Sequence, residues 1–299
     1  MRDLITHPED LSALVCRPAL PLDTSQVMAL TREIWDGHDY VPYVWQDWLA
    51  DPIGLLVVAE YEGRVVGMVK LSRKGPGEWW LEGLRVHIDY QGRGIASHLH
   101  DYIVGYWQSR PGRVLRLATS SARLPVHHLC LRTGFLKLGA YRIYSAPAIK
   151  DKRHAFSPVL ENQLSEALDY AIKSPLYGIS QGLMYLSWSW GELTAERLRD
   201  AIAEGRALWW RYTPEGAAAL VIIAIDEEDQ HPYIQFAASS IENLADILVD
   251  YRHWAGLMGY ERAVWLAPIQ SEVLDALQDV GFQSEWENDL YLFEKRKPR

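Results

Sequence analysis

The chain has 299 residues, 48% of them hydrophobic and 23% charged, which gives material for a substantial core and about two domains. Its net charge of -9, with no run of five Lys or Arg, argues against a sequence-independent nucleic-acid surface, which needs clustered cations to neutralise phosphates. Two cysteines, Cys16 and Cys130, provide neither a disulfide framework nor a cysteine-based zinc site, and the longest apolar run, Ala217 to Ile225, is far short of the roughly 20 residues that span a bilayer. Glu9 and Asp10 interrupt any apolar segment after Arg2, so a secretory leader is not expected; the reading is a cytoplasmic protein with no metal, membrane or nucleic-acid partner. Lys295 to Arg299 reads as a solvated tail.

Val27, Leu30, Ile34 and Trp35 fall at helical spacing and predict a helix over Asp23 to Trp35, capped by Asp23 or Thr24. The segment Gly37 to Pro42 breaks it and opens an aromatic-rich stretch to Trp48. Leu55 to Tyr61 and Val65 to Leu71 form a hairpin about Glu62-Gly63-Arg64, and Trp79 to Val86 is a third strand. A helix from Gly94 to Gln108 carries Ile95, Leu99, Tyr102, Ile103 and Tyr106 on one stripe. A strand at Val114 to Thr119, a short helix ending at Thr133-Gly134 and a strand around Tyr141 to Tyr144 follow.

The more polar stretch Ala148 to Ser174 holds a connecting helix around Leu160 to Ile172, after which the order of elements repeats. Leu208 to Trp210 and Leu220 to Ile225 read as a hairpin, Tyr233 to Ala237 as a third strand and Ile241 to Leu257 as a helix. Ala263 to Ala267, Val273 to Val280 and Leu290 to Phe293 complete a strand, helix and strand. Residues echo too: Arg113 to Ala118 resembles Arg262 to Ala267, and each is followed by a short helix and a Gly-Phe pair, Gly134-Phe135 or Gly281-Phe282.

The sharpest local signal is Val86 to Ala96, between a strand and a helix. A helix start offers free N–H groups and partial positive charge, a natural seat for pyrophosphate, and Gly92 and Gly94 permit close backbone approach. No Gly-Lys-Ser/Thr follows, so it is not a P-loop, and the third glycine of a dinucleotide fold is missing. On the preceding strand, alternation puts Glu78, Trp80, Glu82, Leu84 and Val86 on one face, with Gly83 marking a bulge. A carboxylate at Glu82 beside Trp80 and Leu84 is expected to have a raised pKa and to serve as base, the plainer readings being a salt bridge to Arg85 or a surface position.

Gln91, Gly94 and Ala96 resemble the acetyl-CoA loop of the GNAT acetyltransferase superfamily, Gln/Arg-x-x-Gly-x-Gly/Ala. The segments Gly37 to Pro42 and Glu82 to Val86, with an aromatic strand at Tyr291 to Phe293, are similar to the histidine N-acetyltransferase branch. The resemblance implies acetyl transfer from acetyl-CoA to an amine, with Glu82 as base. It also implies that the backbone of Leu84, Arg85 and Val86 contacts oxyanion and pantetheine, and that Gln91, Gly92, Arg93, Gly94, Ile95 and Ala96 hold pyrophosphate. The family often places a tyrosine four residues before Gly-Phe to protonate the departing thiolate; Cys130 stands there, so the acid is unassigned, with His127, His128, Tyr141 and Tyr144 as alternatives.

The substrate expected is a small-molecule amine, first the α-amino group of a histidine-like amino acid, and the alternatives are a protein N-terminus, a polyamine-type amine or a silent acyl-CoA-binding module. Asp39, Tyr40 and Tyr43 are the candidate substrate wall, Asp39 either pairing with a cation or capping the next turn. In the second half, Ser239 to Glu242 reads as a capping box that closes the helix start to pyrophosphate, which makes that half degenerate. The expected fold class is α/β (α+β): tandem GNAT-like domains, each a mixed, mostly antiparallel twisted sheet flanked by helices. Residues 1–147 form the acetyl-CoA-binding domain, 148–174 the connection and 175–299 the degenerate domain.

Overall fold

The computed structural model describes residues 11–32, 34–151, 154–214, 216–226 and 229–298. The readings at Arg2, Glu9, Asp10, Glu33 and Arg299 lie outside them. The chain forms two compact units, one of Met1–Leu117, Leu124–Leu136 and Phe293–Arg299, the other of Ala118–Arg123 and Lys137–Leu292.

The first unit runs β1 (Leu14–Pro18), α1 (Thr24–Thr31), α2 (Val41–Ala50), β2 (Leu55–Tyr61), β3 (Arg64–Gly75), β4 (Glu78–Val86), α3 (Ile95–Gln108), β5 (Val114–Ser120) and α4 (Leu124–Arg132). Strands β1 to β5 stand in sequence order, antiparallel except for the parallel pair β4 and β5. Glu62 and Gly63 both take positive φ, the backbone that a tight hairpin requires. Val27, Val41 and Trp45 of α1 and α2 pack on Leu56, Val58, Val65 and Met68. On the other face α3 comes so close to β3 that a Cβ on Gly67 would stand 2.9 Å from Leu99. Helix α2 adds to the sequence reading, which took Gly37 to Pro42 as a helix break that opens an aromatic-rich stretch to Trp48 and predicted no helix there. Pro42 is in its first turn, where no N–H is needed. Val41 and Trp45, four apart, bury one face of α2.

The second unit contains β6 (Leu136–Pro147), β7 (Phe156–Pro158), α5 (Leu164–Lys173), α6 (Pro175–Ile179), β8 (Leu183–Tyr185), β9 (Trp190–Glu192) and α7 (Ala195–Ala203). It continues with β10 (Ala207–Trp210), β11 (Ala219–Asp226), β12 (His231–Ser239), α8 (Leu244–Leu257), β13 (Arg262–Pro268), α9 (Ser271–Asp279) and β14 (Gln283–Ser284); β15 (Leu290–Arg296) begins among its residues and ends, from Phe293 on, among those of the first unit. Its strand order is β6-β13-β12-β11-β10-β7, antiparallel except for β12 and β13, with β8 and β9 a separate hairpin.

Each unit thus has one parallel strand pair joined by a crossover helix, and both crossover helices, α3 and α8, are 14 residues long. The Gly-Phe echo is geometric as well. Gly134 and Gly281 are left-handed, and the N–H of Phe135 and of Phe282 each reaches back 2.9 Å to a carbonyl five residues earlier, on Cys130 and Leu277.

Two local expectations fail. The capping box is not formed: Ser239 ends β12 and its hydroxyl donates to the Ser240 carbonyl, while α8 starts only at Leu244 after Asn243. Nor are the C-terminal lysines a loose tail, because Lys295 donates to the Thr133 carbonyl and Lys297 lies over the Trp107 ring. None of the described helices is long and apolar enough to cross a membrane.

Candidate functional site

Strand β4 begins in register with β5, Glu78–Trp80 against Val114–Arg116, and the pairing stops there although both strands continue. Two residues later stands Glu82. On its other side β4 carries a bulge: Lys70 of β3 faces Glu82 and Met68 faces Arg85, so Gly83 and Leu84 oppose Val69 alone. Gly83 takes φ +68, and the ring of Trp48 fills the space its side chain would need. The bulge overturns the expected alternation, because paired residues share a face. Arg85 therefore joins Glu82 on the α2 side, and Leu84 and Val86 turn away.

Glu82 is half-buried, but its surroundings are polar rather than the apolar wall expected from Trp80 and Leu84. The Ser72 hydroxyl donates to Oε1 at 2.5 Å, and Lys74 Nζ stands 4.0 Å from the same oxygen. Arg85, the expected partner of Glu82, is instead held by Asp39, its Nε and Nη2 donating at 2.8 and 3.0 Å. Lys70 is buried and donates to Asp51. Arg116 is buried between Glu78 and Glu294.

Beyond Val86 the chain turns through Ile88–Tyr90 into the glycine loop. Gln91 donates to the Val86 carbonyl at 3.1 Å, bracing the loop, and Arg93 lies over the Tyr90 ring. Gly94 is the left-handed N-cap of α3 and has no side-chain cap, while its carbonyl accepts from Ser97 and His98. The first-turn amides around Ile95 and Ala96 therefore have neither an intrahelical acceptor nor a side chain closing them. A Cβ on Gly92 would meet nothing within 4 Å, and on Gly94 only Leu11 at 3.7 Å, so the backbone is open to close approach. Beside this loop lies a cavity of about 650 Å³ lined by Tyr61, Arg64, His87, Tyr90 and Arg93 among others; Glu82 is not in its wall.

Of the candidate substrate wall, Asp39 pairs with Arg85 and accepts from the Val41 N–H at 3.1 Å, two residues on, in the turn that leads into α2. It is 1% exposed, so its carboxylate faces Arg85 and the backbone rather than solvent. Tyr40 sits edge-on to Trp48 with Arg85 5.3 Å over its ring, near the bulge. Tyr43, on the outer face of α2, is 86% exposed. Ser72, Lys74 and Trp48 were not singled out in the sequence. Ser72 and Lys74 become visible only once the register of β3 on β4 is known.

Cys130 is fully buried, and burial pushes its thiol pKa up to about 12, so the thiol keeps its proton. His128 is exposed, and His127 packs near Phe293. Tyr141 and Tyr144 lie on β6, Tyr141 buried against Trp190. No group of three or more His, Cys, Asp or Glu suited to a metal occurs among the described residues.

In the second unit β12 pairs with β13 at Tyr233–Ile234 against Val264–Trp265 and then likewise parts. Here the chain fills its own gap. Tyr141, Leu176, Tyr185 and Trp190 line the space beside Phe236 and Trp265, leaving a void of about 30 Å³. Trp190 is buried while Trp188 is exposed and stacked on Trp286. The start of α8 lacks a side-chain cap but has no glycine and carries Asp246 in its first turn, a poor setting for an anion.

Residues 24–135 match the acetyltransferase (GNAT) family. Histidine N-acetyltransferase of Oreochromis niloticus is 32% identical over 106 residues, 34% of this chain and 32% of that protein. The same-named protein of Xenopus tropicalis is 27% identical over 134 residues, 42% of this chain and 40% of that one. The matched stretch thus spans well under half the length of these curated relatives. Among solved structures, a GCN5-related N-acetyltransferase from Sphaerobacter thermophilus is similar over 96% of both chains, with TM-score 0.61 and 14% identity. One from Kribbella flavida is similar over 95% of this chain and 72% of that one, with TM-score 0.53 and 12% identity. At such identities the likeness is one of fold.

Proposed function

We propose that the chain, whose residues 24–135 match the acetyltransferase (GNAT) family, transfers acetyl from acetyl-CoA to a small-molecule amine. The acceptor read first is the α-amino group of a free, histidine-like amino acid, and the transfer is direct, within a ternary complex. One observation carries this reading: β4 parts from β5 just before Glu82, and the opening leads along β4 to the uncapped, glycine-flanked start of α3. A thioester lying in that opening with its pyrophosphate on the first turn of α3 meets N–H donors at the end where it is anionic.

In this mechanism Glu82, held by Ser72, takes the proton from the ammonium form of the acceptor, directly or through water. Beyond Trp80, where the pairing with β5 ends, the backbone of Leu84, Arg85 and Val86 offers donors to the thioester oxygen as negative charge develops there. The Asp39–Arg85 pair fixes the strand beyond the bulge. The relatives named histidine N-acetyltransferase support the amino-acid acceptor. We read the two units as tandem copies of one fold, the second filled by its own aromatics and without a bound acetyl-CoA. The buried Cys130 thiol, standing where the family often has tyrosine, favours one rival, a silent acyl-CoA-binding module. Release of free CoA measured across amino acids, polyamines and peptide N-termini decides between them. CoA release with free amino acids is expected; acetyl-CoA binding without turnover of any amine would leave the silent module.

A further inference from the structure

We propose that Ser72 is a positioning residue for the transfer: it ties down one oxygen of Glu82, Oε1, and so makes the other, Oε2, the atom that takes the proton. The proposal rests on the reading of Glu82 as the base. Ser72 lies on β3 opposite Trp80, two residues before Glu82 on β4, and Lys70, two residues before Ser72, lies opposite Glu82. The two side chains thus share one face of the hairpin as diagonal neighbours, within reach of each other. They meet in an O–H···O bond of 2.5 Å from the Ser72 hydroxyl to Oε1. A carboxylate only accepts, so the hydroxyl donates, and a short bond to a charged acceptor is of the stronger kind.

Both polar neighbours of the carboxylate stand at the same oxygen, the Ser72 hydroxyl at 2.5 Å and Lys74 Nζ at 4.0 Å from Oε1. Among the described residues none donates a hydrogen bond to Oε2. Ser72 is 9% exposed, while the Glu82 side chain is 19% exposed and open to an acceptor. A glutamate left to itself turns about three side-chain bonds and presents either oxygen; fixing one oxygen removes that freedom before the acceptor arrives. The proton transfer then balances at a single atom. An N–H bond of the acceptor's ammonium breaks, its electron pair stays on nitrogen, and an O–H bond forms at Oε2. Oε1 becomes the carbonyl oxygen of the resulting carboxylic acid and still accepts from Ser72, so the hydrogen bond holds the side chain in place through the step. A transfer to Oε1 would instead compete with the hydroxyl that already occupies it.

The test measures CoA release with L-histidine as acceptor in Ser72→Ala, Ser72→Thr, Glu82→Gln and the double variant Ser72→Ala/Glu82→Gln, with melting temperature and acetyl-CoA affinity as controls for folding. A catalytic group that loses its aim should lower kcat about 10- to 100-fold in Ser72→Ala, while the KM for acetyl-CoA holds. Ser72→Thr keeps the hydroxyl and should recover most of that loss. Because Ser72 acts through Glu82, the double variant should be no slower than Glu82→Gln alone. Wild-type kcat in Ser72→Ala overturns the proposal. So does an equal fold-loss from Ser72→Ala in both backgrounds, which would show that Ser72 supports the fold rather than the base. Both results leave Glu82 in its role. Wild-type turnover in Glu82→Gln, or a wild type that acetylates no amine, removes the underlying reading and this one together.

Discussion

The ring of Trp48 occupies the place of the side chain that Gly83 lacks: a Cβ built on Gly83 would lie 2.7 Å from the Trp48 ring. At φ +68 an L side chain there adds backbone strain of about 1–2 kcal/mol to the clash. Gly83→Ala should therefore lower the melting temperature, shift tryptophan fluorescence as Trp48 moves, and reduce kcat/KM by re-aiming Glu82. Unchanged fluorescence and turnover would deny the bulge any part in shaping the site.

Acetyl-CoA should raise the melting temperature through mass action, and Gly94→Glu should abolish that shift by setting a carboxylate against the pyrophosphate seat. Titration calorimetry should give one acetyl-CoA per chain, because the second gap is filled by Tyr141, Leu176, Tyr185 and Trp190. Two equivalents would reverse the reading of the second unit, and equal binding by Gly94→Glu would move the site elsewhere.

Glu82→Gln keeps the shape and the Ser72 contact but not the base. Acetyl-CoA affinity should hold while turnover at neutral pH falls about 10²- to 10⁴-fold, the usual contribution of a positioned base. The deficit should narrow as pH rises, since more acceptor is then free amine. Turnover equal to wild type at neutral pH, with amine attack rate-limiting, takes Glu82 out of the mechanism.

How much of this was legible in the sequence follows from the range of each interaction. The glycine loop was local and readable, because Gly92, Gly94 and the start of α3 are neighbours in the chain. Gly83 was readable as a bulge, but not its effect, since turning Arg85 onto the Glu82 face depends on the register with Met68 and Lys70. The polar setting of Glu82 was hidden for the same reason: Ser72 and Lys74 reach it across the hairpin. Helix α2 was missed because Pro42 reads as a breaker until it is placed in a first turn. The capping box at Ser239 matched a local pattern that lost to continuation of β12, where Ser239 is paired with Ala219.

Asp39 and Arg85 form a buried bidentate pair, 1% and 8% exposed. Removing one charge strands the other, which typically costs about 3–5 kcal/mol. Asp39→Asn should accordingly lower stability by that order in urea unfolding, and raise the KM for the acceptor more than that for acetyl-CoA by loosening Tyr40 and the bulge. A neutral effect on unfolding would mean that Arg85 finds another partner at no cost.

His100 sets an acid limit on the fold. Its ring is buried, Nε2 lies 2.9 Å from Thr133 Oγ1, and that hydroxyl itself donates to the Leu129 carbonyl, so Nε2 carries the proton. Nδ1 is buried without a hydrogen-bond partner. Burial lowers the imidazole pKa from 6.5 to about 4. The unfolded chain thus binds a proton more readily than the fold. The neutral ring's contribution is complete above pH 6.5 and is lost as pH falls towards 4. A shift of this size corresponds to a stability loss on the order of 3 kcal/mol. His100→Leu removes the titrating group, so the difference in melting temperature between the variant and wild type should shift in favour of the variant as pH drops across that window. Parallel melting curves for the two proteins from pH 7 to 4 would show that His100 is not the group that senses acid.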